Sequence, residues 1–301
     1  MSFDYDVTIV GGGPAGLSAA LILARACRSA IVFDAAQPRN AVVKHLHGLL
    51  SRDGTAPLEL LQIARDDLAR YQTIQIEHVE VVAARCMSPG FEVTLATGRT
   101  CRSRKLLIAT GVADNLPDVP GLRDLYGTSV FHCPFCDAWE LRGQPMAVYG
   151  RGKRGHGLAL EMLGWTRDLV LCTDGPAELD DGQRLELARN GVIVREERIV
   201  RLEGRKGVLE RVHFAEGGPL ARRALFFTVG QHQSSSLARN LGCVFNEKGT
   251  VHTGRHESTA VSGLYVAGDA SRDVQWVVIA AAEGAEAAYA MTLDLLAEDR
   301  I

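Results

Sequence analysis

Charge of one sign, aromatic rings, long apolar runs and paired cysteines are all scarce in this 301-residue sequence. Basic and acidic residues nearly cancel, 33 against 36, so no polybasic surface points to nucleic acid or an anionic membrane as partner. The apolar stretch after Trp276 is broken by Glu283 and Glu286, which excludes a bilayer-spanning helix. Acids at Asp4 and Asp6 stand where a secretion signal needs positive charge, so a cytoplasmic protein is expected. Seven cysteines is an odd count for an extracellular framework. Cys27, Cys86, Cys101, Cys172 and Cys243 sit among apolar neighbours and read as inert core thiols. Only Cys133 and Cys136 make a pair. What the sequence has in excess is glycine, 31 residues, above the usual share of about 7%.

Part of that excess is organised. Val7–Val10 is a β-branched run suited to a buried parallel strand. Gly11, Gly13 and Gly16 follow in G-x-G-x-x-G spacing, with Pro14 and Ala15 inside the turn. A helix-forming stretch over Leu17–Ala26 and a second strand, Ala30–Phe33, lead to Asp34. Gly11 permits the tight turn, Gly13 lets backbone approach a pyrophosphate, and Gly16 lets helix pack against strand. The helix N-terminus presents N–H groups to the phosphates, and Asp34 is placed to accept from an adenosine ribose. Strand, turn, helix and acid together predict a dinucleotide site.

The pattern returns in mid-chain. Met146–Tyr149 reads as a strand, Gly150, Gly152 and Gly155 repeat the glycine spacing, Leu158–Leu163 suggests the helix and Leu169–Cys172 the next strand. Here the acid position offers Thr173 and Asp174. Either the turn binds NAD(P) or it is a nucleotide fold that no longer binds anything. Two further strand-to-turn segments are Lys105–Gly111, ending in Ala109, Thr110 and Gly111, and Gly263–Asp269, ending in Gly268 and Asp269. From Trp276 to about Leu296 the chain is Ala-rich and helix-forming, and its first turn would point a positive end at nearby negative charge.

These motifs, with Cys133-Pro-Phe-Cys136-Asp137, occur in family order over almost the whole length. The chain resembles the low-molecular-weight thioredoxin reductase family of FAD-dependent pyridine nucleotide–disulfide oxidoreductases. The resemblance implies an α/β fold of two Rossmann-like domains of the three-layer ββα type, the second inserted in the first. Residues 1–112 and 232–301 would bind FAD, and residues 113–231 would form an NAD(P)-type domain carrying the redox cysteines. It also implies that Asp269 binds the ribityl chain of FAD, that Gln275, Trp276 and Val277 open a flavin-facing helix, and that the protein is a homodimer.

The spacing of Cys133 and Cys136 suits a disulfide across one helical turn, and a helix start there would activate the nearer thiol. Pro134 fits a first helical turn. Half a zinc site is disfavoured because no second pair of suitable spacing exists; His45 and His47 lack a further ligand nearby, so no metal is expected. By resemblance, Cys136 faces the flavin, Cys133 exchanges with substrate, and Asp137 shuttles the thiol proton; Asp137 also suits a helix N-terminus on its own account. His132 is a further acid–base candidate or a structural residue.

Two departures direct the function. NADPH-using thioredoxin reductases carry a His-Arg-Arg run where this chain has Thr173-Asp174-Gly175, and an aspartate there repels a 2′-phosphate. Arg151, Lys153 and Arg154 either hold phosphates or form a solvated loop. Cys-Pro-aromatic-Cys resembles the branch of dithiol oxidases that close gliotoxin-, holomycin- and romidepsin-type disulfides. Phe135, Trp139 and Trp276 suit an apolar small-molecule pocket or plain core packing. The expected function is FAD-dependent oxidation of a small-molecule or peptide dithiol, with oxygen or NADP⁺ as acceptor. The alternatives are a reductase of a thioredoxin-like protein driven by NAD(P)H or another donor, and a non-enzymatic flavin-containing redox sensor.

Overall fold

Short aliphatic runs without alternation become parallel strands when both faces of the sheet are covered, and the parallel strands of the two largest sheets are built that way. The computed structural model describes residues 2–300. The chain divides into two compact units, one formed by the residues up to Ala41, Gly48–Ala113 and the chain from Gln231 on, the other by Val42–His47 and Asp114–Gly230.

The first unit contains β1 (Tyr5–Val10), α1 (Pro14–Arg25), β2 (Ala30–Phe33), α2 (Pro57–Leu68), β3 (Ile74–Glu77), β4 (Val81–Cys86), β5 (Phe91–Leu95) and β6 (Thr100–Ile108). Strands β3, β2, β1 and β6 lie parallel in that order, and β6 turns antiparallel to β5, which pairs with β4. Successive residues point to opposite faces. Val7, Ile9, Ala30, Val32 and Leu107 face α1 and α2, while Val10, Ile31, Phe33, Leu106 and Ile108 face β5 through Val93 and Leu95. Helices cover one face and an antiparallel meander the other.

The second unit repeats this design. After β7 (Val112–Asp114) come α3 (Leu122–Leu125), β8 (Val130–Phe131), α4 (Pro134–Asp137), β9 (Met146–Tyr149), α5 (Gly152–Met162), β10 (Leu169–Cys172) and α6 (Asp181–Arg189). They are followed by β11 (Ile193–Arg195), β12 (Ile199–Arg205), β13 (Val208–Phe214), β14 (Leu220–Ala221) and β15 (Ala224–Phe227). The sheet β11-β10-β9-β15-β8 is parallel throughout, and β12-β13-β14 form the meander. Met146, Val148, Leu169, Leu171, Ala224 and Phe226 pack toward α5 and α6; Ala147, Val170, Cys172, Leu225 and Phe227 pack toward β12 and β13.

The chain then returns through β16 (Gln231–Gln233), paired with β7, to α7 (Leu237–Asn240), β17 (Leu264–Val266) beside β6, and the long α8 (Val277–Glu298). Helix α8 lies directly on α1. A Cβ on Gly284 would stand 1.9 Å from the Ala15 carbonyl oxygen, so only glycine permits that approach.

Residues 42–47, expected with the first domain, group with the second unit. A Cβ on Gly127 would sit 2.5 Å from the Val42 carbonyl oxygen, and His47 pairs with Glu140 (Nε2–Oε1 3.5 Å). Cys27 and Cys86 also depart from expectation. Both are exposed, Cys27 in a left-handed turn (φ 56°) after α1 and Cys86 at the end of the outer strand β4. Cys101 and Cys172 are buried, and burial pushes their thiols up to about 11 and about 12, which makes them inert. Among the described residues, no helix is long and apolar enough to cross a membrane.

Candidate active site

Cys133 and Cys136 are joined in a disulfide. Cys133 caps α4 with extended backbone, and Pro134 occupies the first helical position, where a missing N–H costs nothing. The helix expected there is a single turn, Pro134–Asp137, so its dipole is small and the thiols owe little to it. Packing holds the turn instead. Pro134 and Ala138 are buried, and Ala138 and Phe131 join the core beneath the sheet. The opposite side presents Phe135 and Trp139, 59% and 60% exposed. Core packing therefore does not account for either ring. Phe135 stands edge-on to Trp165 (centroids 5.3 Å), and the Arg142 guanidinium lies 3.9 Å from the Trp139 ring centroid.

Asp137 is half-buried, and that burial pushes its carboxyl up to about 7; the charge of Glu140 adds to the rise and that of His47 opposes it. An acid poised near neutrality beside Cys136 can take and return a proton at working pH. On the other side of the pair, His132 Nδ1 lies 3.3 Å from the Tyr126 hydroxyl, which donates to Asp114 Oδ2 at 2.5 Å. His132 is thus oriented by two polar groups as well as by the Phe227 ring (centroids 6.3 Å). Among the described residues, no cluster of three or more His, Cys, Asp or Glu could hold a metal ion.

In the first unit, the turn after β1 is open where a ligand would lie. Gly11 has φ 114°, with its N–H donating to the Phe33 carbonyl, and a Cβ on Gly16 would stand 1.9 Å from the Gly11 carbonyl oxygen. A Cβ on Gly13, by contrast, would meet nothing within 4 Å. No side chain caps α1, and among the described residues no backbone carbonyl takes the Gly13 N–H. Asp34 is buried; its Oδ1 accepts from Ala36 N (2.9 Å) and its Oδ2 from Arg65 Nη2 (2.8 Å). The Thr110 hydroxyl, between Ala109 and Gly111, is buried without a hydrogen-bond partner. Open glycine, uncapped helix, fixed acid and orphaned hydroxyl fit a dinucleotide.

Near that turn Asp269 accepts from Arg39 Nη1 (3.1 Å), which also donates to Gln275 Oε1 (2.5 Å). Gln275 Nε2 donates to the Arg272 carbonyl (3.2 Å), Trp276 caps α8, and Val277 begins it. Glu283 holds Gly268 by accepting its N–H at 2.8 Å. Sequence reasoning did not find Arg39, Arg65 or Glu283 as site residues. Arg39 stands only five residues beyond Asp34, but nothing local shows that it meets Asp269.

The second glycine turn is closed. Gly150 N donates to the Cys172 carbonyl, the counterpart of the Gly11–Phe33 bond. Here, however, Gly152 N donates to the Ala177 carbonyl at 2.8 Å, so the backbone of the following loop takes the N–H that a phosphate would need. Arg151 Nε donates to the Thr173 carbonyl (2.6 Å), and its Nη2 bonds the Asp174 carbonyl. That arginine is committed to the chain rather than to a solvated loop. Asp174 is held as well, its Oδ1 accepting from Ile199 N (2.7 Å) and its Oδ2 from the Tyr149 hydroxyl (3.1 Å).

Two copies of one nucleotide-binding design, with a disulfide turn in the second, define a class. The chain belongs to the pyridine nucleotide–disulphide oxidoreductase family, whose model matches residues 5–284, and it is a thiol–disulfide oxidoreductase. Among known proteins it is similar to the thioredoxin reductase tcpT of Claviceps purpurea, 32% identical over 97% of this chain and 95% of that one. The solved structure of HlmI matches with TM-score 0.93 and 35% identity, covering 98% of this chain and 93% of that one. An oxidoreductase from Agrobacterium tumefaciens matches with TM-score 0.91 and 34% identity, over 97% and 98% of the two chains.

Proposed function

We propose that this protein oxidises a small-molecule or peptide dithiol to its disulfide, with FAD in the first unit as electron acceptor. The observation that carries this reading is the contrast between the two glycine turns. One is open at Gly13, and the other is filled at Gly152 by the chain's own Ala177 carbonyl. A reductase needs a nicotinamide at the second turn; a dithiol oxidase does not. The same closure favours oxygen over NADP⁺ as terminal acceptor.

FAD would be held by Gly11, Gly13, Pro14, Ala15 and Gly16 at its pyrophosphate, and by Asp34 at the ribose. Ala109, Thr110, Gly111, Gly268, Asp269, Gln275, Trp276 and Val277 would hold its flavin side. Bound FAD supplies a two-electron acceptor. The chain's residues do the rest. A substrate thiolate attacks the Cys133 sulfur, and the substrate's second thiolate resolves the mixed disulfide, leaving Cys133 and Cys136 as thiols. Closing that pair again sends its electrons onward while Asp137 takes a thiol proton. His132 serves the substrate thiol at Cys133. Phe135 and Trp139, exposed beside the pair, suit an apolar dithiol.

The second reading, reduction of a thioredoxin-like protein by a nicotinamide or other donor, is favoured by the name that tcpT carries. Membership of an enzyme family sets aside the non-enzymatic sensor. By family resemblance the protein acts in the cytoplasm as a homodimer. Anaerobic mixing separates the two enzymatic readings. Dithiothreitol is expected to bleach the flavin and oxygen to restore it; fast bleaching by NADPH or NADH would overturn the proposal.

A further inference from the structure

In the first unit, residues far apart in the sequence close a ring of hydrogen bonds around the chain from Gly268 to Gln275. Gly268 N donates to Glu283 Oε2 at 2.8 Å, and Arg272 Nε donates to Glu283 Oε1 at 2.5 Å. The Arg272 carbonyl accepts from Gln275 Nε2 (3.2 Å), and Gln275 Oε1 accepts from Arg39 Nη1 (2.5 Å). The same Nη1 donates to Asp269 Oδ2 (3.1 Å), and Asp269 follows Gly268 in the chain, which closes the ring. A second acid braces it from outside. Arg272 Nη2 donates to Glu257 Oε1 at 2.5 Å, and Thr253 Oγ1 donates to Glu257 Oε2 at 3.1 Å. Each carboxylate oxygen of Glu257 and Glu283 thus accepts a hydrogen bond.

The brace is costly to build. Glu257 is 1% exposed and Glu283 7%; burial pushes both carboxyls up, and Arg272 opposes the rise in each. His256 and Glu257 sit in the left-handed region, at φ 54° and 62°, which residues with side chains rarely adopt. His256 is held against α8, its ring edge-on to Tyr289 (centroids 5.6 Å) and its Nδ1 3.5 Å from Glu286 Oε2. Buried ion pairs are a weak source of stability, and strained backbone persists only where its surroundings enforce it. What this brace enforces is the turn at Gly268 and Asp269. A Cβ on Gly268 would stand 3.1 Å from the Cβ of Ala15 in the open glycine turn, and one on Gly111 would stand 3.9 Å from the Asp269 Cβ.

We propose that Arg272 is the positioning residue of the FAD site: by bridging Glu257 and Glu283 it fixes Asp269 before the cofactor arrives. Binding then orders little of the turn, which favours affinity. This rests on the reading above that FAD lies in the first unit against Asp269. Arginine suits the task because its planar fork offers N–H groups on separate nitrogens to two acids, whereas lysine has a single ammonium.

A double-mutant cycle with Asp269→Ala tests it, read as the dissociation constant of FAD from the loaded protein by the return of flavin fluorescence on dilution. Asp269→Ala alone should weaken FAD binding about thirtyfold, the order of a lost charged hydrogen bond. Arg272→Lys should weaken it about tenfold in the otherwise unchanged protein and less than about twofold beside Asp269→Ala, since a residue acting through Asp269 then has nothing to position. Glu257→Gln keeps the side chain's size and weakens the brace from its far end, with an expected loss of about threefold that should likewise vanish beside Asp269→Ala. It carries the test if Arg272→Lys does not fold. Equal losses in the two backgrounds would mark a merely structural role and overturn the brace while leaving FAD in its place. Unchanged affinity in Arg272→Lys would overturn it as well. Unchanged affinity in Asp269→Ala would take FAD away from Asp269, and the brace would fall with that placement.

Discussion

The two glycine turns begin from the same spacing and end in opposite states. In both, the first glycine's N–H bonds the end of the next strand, Gly11 to Phe33 and Gly150 to Cys172. In both, the third glycine lets the helix start lie against the first glycine, Gly16 on Gly11 and Gly155 on Gly150. They part at the middle glycine. Gly13 faces open space, whereas the N–H of Gly152 is taken by Ala177 and Arg151 is folded onto Thr173 and Asp174. Spacing secures the backbone of a nucleotide turn. Whether a nucleotide can use it depends on what the rest of the chain puts over the N–H groups.

The largest expected effect tests the division of labour between the units. Cys136→Ser should lower dithiol oxidation by about ten-thousandfold or more, the order lost with a covalent nucleophile, while flavin absorbance shows FAD still bound. Flavin loss in that variant would break the separation.

The next largest concerns the nicotinamides. Bleaching by NADPH or NADH should run roughly a hundredfold slower than by dithiothreitol, since one charge-assisted phosphate hydrogen bond is worth about 1.5–3 kcal/mol. Equal rates would show that the closed turn opens in solution and would overturn the oxidase reading.

A matched pair of alanines sharpens the contrast further. Gly13→Ala adds a methyl in open space at φ −80°, so the melting temperature of the apoprotein should hold while FAD affinity falls about tenfold or more. Gly155→Ala would press a methyl to 2.6 Å from the Gly150 carbonyl and cost about 1–3 kcal/mol of stability, with FAD retained. A reversed pattern would exchange the roles of the two turns.

The last effect is thermodynamic and depends on pH. The Asp137 carboxyl is pushed up to about 7 in the folded chain, so the folded state holds a proton that the unfolded state releases from about pH 4 upward. The stability contributed by the protonated form is therefore full below about pH 4 and lost as pH rises to about 7. Asp137→Asn should leave the melting temperature unchanged at low pH and raise it increasingly up to neutrality, with no further gain above. A scan across that range checks it.

Much of the fold was legible. Ala30–Phe33, Met146–Tyr149 and Leu169–Cys172 are strands with the bounds expected, because each is a short apolar run stopped by a turn residue. Helices α1 and α5 start earlier than Leu17 and Leu158 suggested, at Pro14 and Gly152, because the glycine turn itself forms the first helical residues. The redox pair was legible from spacing. Its helix was overestimated, because Pro134 announces a start but nothing local shows that the turn ends at Asp137. The residues that were missed share one property, distance along the chain. Arg39 and Asp269 are separated by 230 residues and Asp34 and Arg65 by 31.

By itself, the sequence determined the two nucleotide turns, the insertion of one domain in the other and the reactive pair, since these follow from local spacing and the order of motifs. Tertiary structure alone decided which turn stays open and what surrounds Asp137. Hydrogen bonds such as Gly152 to Ala177, and the burial that raises an acid, depend on groups that only folding brings together.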